Sequence, residues 1–100
     1  MLDSKTRARL AGIAQTRGCL VTLGRAGASD ALVARLGVLL EAHELVKLRF
    51  GDSKESRLSV AAGLAERTGS EVVRLVGNVA VFWRRNPDPE HRKIDLEIAP

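Results

Sequence analysis

"CLVTLGRAGASDALVARLGVLLEAHELVKLRF", residues 19–50, carries the pattern that decides the fold. Its first five residues, 19–23, are apolar and rich in strand formers, which suits a short buried strand. Gly24-Arg25-Ala26-Gly27 interrupts that run, and Ser29 then stands where a helix N-cap belongs. Behind it Leu32, Val33, Leu36, Leu39 and Leu40 recur at helical spacing. From Glu44 onward the period changes to two, with Val46, Leu48 and Phe50 alternating against Lys47 and Arg49. Strand, helix and strand in that order read as a parallel β-α-β unit whose second strand shows cations on one face.

The flanks extend this unit. Upstream, "DSKTRARLAGIAQT" offers Ser4 as an N-cap and Leu10, Ile13 and Ala14 as the buried stripe of a first helix. Downstream, Asp52 and Glu55 have the spacing of a capping box for a third helix, with Leu58, Ala61, Ala62 and Ala65 facing inward. Gly69 sits where a helix C-cap belongs. "SEVVRLV" then reads as a strand joined through a tight Gly77-Asn78 turn to "VAVFWRR". The order is a helix followed by β-α-β-α-β-β, which predicts an α/β chain in a two-layer α+β arrangement with a four-stranded mixed sheet. One domain is expected over residues 1–86, and the proline-containing, mixed-charge segment 87–100 reads as an extended, loosely held tail.

Composition narrows the function. A chain of 100 residues with 45% hydrophobic and 28% charged side chains is ordinary globular material. No apolar run approaches the roughly 18 residues of a membrane span, and the start lacks a signal-peptide core, so a cytoplasmic location is expected. Cys19 is the sole cysteine, and His43 and His91 lie far apart, so neither a disulfide framework nor a metal site is expected. Sixteen basic residues face 12 acidic ones. Twelve of the basic residues are arginines, which suit a polyanion through bidentate phosphate contacts, although a GC-rich genome produces the same usage.

Catalytic patterns are weak. "AHELVK" begins like a zinc-protease helix, but Lys47 replaces the second histidine, and His43 with Glu44 reads as a cap and a surface pair. "LGRAGAS" lacks the third glycine of a dinucleotide loop and the ending of a P-loop. Cys19 lies in a strand pattern, and the serines fall mostly at element boundaries or helix faces. No enzyme, cofactor or small-molecule substrate is expected. The glycine loop keeps two readings. It is a tight strand-to-helix connection, or it is a phosphate grip built from exposed helix N–H groups and Arg25. Asp30, in the first helical turn, opposes the second reading by repelling a phosphate.

Read together, "LGRAG", "AHELVKLRF", "TGSEVVRLVGNVAVFWRR" and the short first helix resemble the CRM domain family, in particular its bacterial stand-alone YhbY-type members. The correspondence runs from about Leu10 to Arg85. The resemblance implies an RNA-binding α/β domain similar to the C-terminal domain of bacterial translation initiation factor three. It further implies a partner in ribosomal RNA of large-subunit precursors, bacterial members being associated with these and plant organelle relatives with group II intron splicing. Carried onto this sequence, the GxxG loop falls on Gly24, Arg25, Ala26 and Gly27, the basic strand positions on Lys47 and Arg49, and the strand-ending arginine on Arg84. Trp83 stands where the family usually has tyrosine, keeping an aromatic surface, and Arg49 stands where lysine is common.

With only Phe50, Phe82 and Trp83 aromatic, a series of base-stacking platforms is not expected, and recognition should lean on phosphates. The expected molecule is a monomeric, non-catalytic RNA-binding protein. Two other readings stand beside it: a protein-interaction adaptor, and a DNA binder using Lys54, Arg57 and Arg67 of the third helix.

Overall fold

A computed structural model describes residues 2–24, 27–51 and 56–94. The elements are α1 (Ser4–Ala14), β1 (Val21–Leu23), α2 (Asp30–His43), β2 (Leu45–Phe50), α3 (Arg57–Thr68), β3 (Glu71–Val76), β4 (Val79–Trp83) and a single 3-10 turn at Pro89–His91. The helix-first, β-α-β-α-β-β order stands as read. The strands form one mixed sheet in the order β1-β2-β4-β3. β1 pairs parallel to β2, while β4 runs antiparallel between β2 and β3. No helix among the described residues is long and apolar enough to cross a membrane.

Alternation along β2 sorts the core into two halves. Val46, Leu48 and Phe50 point to one face, where they pack with Leu36 and Leu40 of α2 and with Val60, Ala61 and Leu64 of α3. Leu45 points to the other, joining Leu10 and Ala14 of α1, Val73, Val81, Trp83 and Ile94. Helices therefore cover both faces, so the two-layer description gives way to three layers, with α1 lying alone on its side. The physical reason is that β2 and β4 carry large apolar residues in both phases, and neither face could be left to water.

Several local expectations shift. Asp3, not Ser4, caps α1, accepting the Thr6 N–H at 2.7 Å. Formal strand begins at Val21, although the Leu20 N–H still reaches the Lys47 carbonyl at 3.0 Å. The Asp52–Glu55 box lies outside the described residues, and the Ser56 hydroxyl accepts the Ser59 N–H at the start of α3. The inward stripe of α3 is Val60, Ala61, Leu64, Ala65 and Thr68, leaving Leu58 and Ala62 exposed. That stripe repeats at three and four residues, and Leu58 and Ala62 fall on the opposite side of the same helix. Gly69 and Gly77 both adopt positive φ, at 65° and 56°, which ends α3 and turns the hairpin as glycine allows.

β3 contains an irregularity between Val72 and Arg74 that leaves Val73 unpaired in register and buried against α1. Arg7 of α1 donates to the carbonyls of Val72 and Val73 at 2.5 and 2.9 Å, satisfying groups at that break.

Segment 87–94 is not loose. It is pinned by Glu44, whose φ of 65° turns the chain out of α2 and directs its carboxylate inward, where the residue is fully buried. That carboxylate accepts the N–H of Asn86 at 2.6 Å, of Lys93 at 2.5 Å and of Ile94 at 3.0 Å. Residues 95–100 lie outside the described set.

Candidate nucleic-acid interface

The glycine loop leaves the C-terminal end of β1, and backbone bonds gather other turns beside it. The Gly51 N–H donates to the Leu23 carbonyl at 2.9 Å, and the Phe50 N–H to the Asn78 carbonyl at 2.7 Å. Arg57 donates to the Gly77 carbonyl at 3.2 Å. The ends of β1 and β2, the start of α3 and the β3–β4 turn thus share one end of the sheet. Gly51 is required there, because a Cβ would come within 2.8 Å of the Leu23 oxygen.

Within the loop, the Gly27 N–H closes a turn on the Gly24 carbonyl at 3.0 Å, and Gly27 has φ of 67°. The Ser29 hydroxyl accepts the Leu32 N–H at 3.2 Å and opens α2. Arg25 and Ala26 lie outside the described residues. The two glycines differ: Gly27 needs its left-handed backbone, whereas Gly24 has no positive φ, and a Cβ added to it meets no described atom within 4 Å.

Asp30 has a counter-ion that the sequence did not announce. Arg67, from the last turn of α3, forms an ion pair with its carboxylate and donates to the Ala28 carbonyl at 3.1 Å. The partnership ties the α2 start to α3 and offsets the negative charge nearest the loop. Arg57, the other described cation of α3 named for DNA reading, donates to the hairpin turn.

Lys47 and Arg49 lie on the α1 face of β2. Register places Lys47 opposite Val81, with Arg74 beyond it, and Arg49 between Thr22 and Val79. Arg49 and Arg74 are exposed, and Lys47 is half-buried, donating from Nζ to the Arg17 carbonyl at 2.9 Å. A groove of about 290 Å³ between α1 and the sheet runs past Lys47 and Arg74 over Val76, Val79 and Val81.

Arg84 is not brought to this group. Its residue follows Trp83, which pairs with Leu45 at the opposite end of β2. Its guanidinium donates to the Thr68 carbonyl at 2.7 Å and the Gly37 carbonyl at 3.0 Å, with the Glu41 carboxylate 3.4 Å away. The residue joins α2, α3 and β4 as a clamp. Trp83 is likewise no aromatic surface. It is 4% exposed, and Phe50 and Phe82 are buried with it, so none of the three aromatics offers a stacking face.

Glu44 was misread as half of a surface pair. Its partners lie 42 to 50 residues downstream, beyond the reach of any local spacing rule. The tail that it anchors also carries Asp88, which caps the 3-10 turn. The Glu90 N–H, and secondarily His91, hold the Asp88 carboxyl below its usual 3.8.

Comparison with known proteins agrees with this architecture. Residues 2–84 match the CRS1 / YhbY (CRM) domain. A Bacillus subtilis protein named "Probable RNA-binding protein YqeI" is 27% identical over 97 residues, covering 96% of this chain and 99% of the relative. A Haemophilus influenzae protein named "RNA-binding protein" is 27% identical over 96 residues, covering 95% and 94%. The solution structure of the hypothetical protein SAV1595 from Staphylococcus aureus superposes with a TM-score of 0.77 at 23% identity, over 95% of this chain and 100% of that one, and so shares its fold. With its glycine loop, cationic second strand and arginine-ended hairpin in this order, the chain belongs to the CRS1/YhbY (CRM) domain family.

Proposed function

We propose that this protein is a non-catalytic RNA-binding module, acting as a cytoplasmic monomer on ribosomal RNA of large-subunit precursors. The loop Gly24-Arg25-Ala26-Gly27 holds the RNA backbone, with Lys47 and Arg49 as further phosphate contacts. The observation that carries the reading is Gly24. Among the described residues neither a positive φ nor a packing contact calls for glycine there, and the missing Cβ suits close approach of a phosphate to the loop amides. The Asp30–Arg67 pair supports it by answering the charge objection, and the RNA-binding names of the two relatives point the same way. Arg84 serves this site by fixing α2 and α3, not by touching RNA.

Three phosphate contacts, from Arg25, Lys47 and Arg49, contribute about −2 to the slope of log affinity against log salt on single-stranded RNA. The test is sedimentation of a cell extract at low and high salt, with wild type and Gly24→Asp. Wild type is expected with large-subunit precursors, released by salt, and the variant is expected in the free fractions. Wild type absent from every ribosomal fraction would overturn the rRNA assignment and favour an adaptor. Co-migration of the variant unchanged would overturn the loop mechanism.

A further inference from the structure

Strand β2 carries a second cationic site at the end remote from the glycine loop. A groove of about 510 Å³ crosses the start of the strand and is lined by Arg17, Leu20, His43, Leu45, Lys47 and Lys93 among others. Its volume lies within the ~300–1,000 Å³ of ordinary ligand pockets. An arginine, two lysines and an imidazole line it, and among the described residues no carboxylate does. Among the described residues nearby, Glu41 pairs with Arg84 and Glu44 is buried beneath three backbone N–H groups.

Two of the cations make bonds to the main chain at the groove, and the backbone of the third is anchored beside it. Lys47 Nζ donates to the Arg17 carbonyl at 2.9 Å, and Arg17 donates to the Leu45 carbonyl at 3.4 Å. Lys93 is fixed through its own backbone N–H on Glu44, so the buried carboxylate positions a cation from the C-terminal segment at the groove. Each side chain retains further donors, since guanidinium has five N–H groups and ammonium three. Leu20, 42% exposed, adds an apolar surface beside them.

We infer that this groove is a second phosphate-binding station for the same RNA, contacted by Arg17 and Lys93 and linked to the loop through Lys47 and Arg49. The inference rests on the RNA-binding reading above. The stations stand at opposite ends of a six-residue strand, about 17 Å apart, so one RNA strand engages both and binds more tightly than either allows alone.

The test is titration of ribosomal RNA over a salt series with wild type, Arg17→Gln/Lys93→Gln, Lys93→Gln alone and Gly24→Asp. Thermal unfolding of each variant is recorded in parallel. With five phosphate contacts the wild-type slope is about −3.5, and the double variant returns it to about −2. Affinity at low salt falls about tenfold, and Lys93→Gln, exposed and outside the core, gives about half of the slope change with an unaltered unfolding curve. Wild-type affinity and slope in the double variant, with binding weakened in Gly24→Asp, would overturn the second station and leave the loop reading intact. Wild type failing to bind ribosomal RNA would instead overturn the loop reading. A double variant that binds ribosomal RNA as wild type does but no longer binds polyglutamate would assign the groove to an acidic protein and overturn the proposal.

Discussion

At the Gly51 end of β2 the chain satisfies its backbone mainly with backbone. Gly51 donates to Leu23, Phe50 to Asn78 and Gly27 to Gly24. At the Leu45 end it uses side chains: the Glu44 carboxylate takes three N–H groups, and the Arg84 guanidinium takes two carbonyls. The first arrangement rests on main-chain groups, so a change of side chain there leaves its bonds in place. The second ties α2, α3, β4 and the C-terminal segment into one knot from residues that look like surface charges in the sequence. Polar residues at the two ends therefore answer to different pressures, and substitutions should separate them.

The largest effect is expected at Glu44. Glu44→Ala leaves three N–H groups without their charged acceptor, each such bond contributing about 1.5–3 kcal/mol without simple additivity. A loss of about 3 kcal/mol or more should lower the thermal midpoint by more than about 10 °C. A fall of less than about 1 kcal/mol in urea unfolding would break the contrast between the ends.

Arg84→Met comes next. The variant keeps the aliphatic packing of the stem and loses the carbonyl bonds, for a cost of about 1.5–3 kcal/mol by urea unfolding. RNA affinity of the folded variant should match wild type. Unchanged stability with a salt slope reduced by about 0.7 would instead return Arg84 to the RNA surface.

Gly24→Ala should be the mildest for the fold. Its backbone is compatible with alanine, so stability should move by no more than about 0.4–1 kcal/mol, and in the stabilising direction. RNA affinity should nonetheless drop severalfold. Destabilisation with unaltered binding would sharpen the comparison differently, by making the loop a turn and nothing more.

What was legible in the sequence follows the same division. The β-α-β unit was readable because period-two alternation at Val46, Leu48 and Phe50 and helical spacing at Leu36 and Leu40 are each imposed by a buried face. Gly69 and Gly77 were readable because positive φ restricts the residue type locally. Glu44 and Arg84 were not, since what determines them is the arrival of segments tens of residues away. The stripe of α3 was read correctly at Ala61 and Ala65 and misread at Leu58 and Ala62, since Leu58 is apolar but lies on the outer side, a common fate for a single surface leucine. At the site, the register of Lys47 and Arg49 was legible from alternation. The counter-ion of Asp30 and the placement of Lys93 came only with tertiary structure.

Arg7 bears on how copies of the chain meet one another. β3 forms one margin of the sheet, where free carbonyls could template a strand from a neighbouring molecule, and the guanidinium over Val72 and Val73 occupies that template at its irregularity. β1, at the other margin, is only three residues long. Pairing with a neighbouring strand would have to displace an arginine at Val72 and Val73 on one margin, and on the other would have only three residues to grow from.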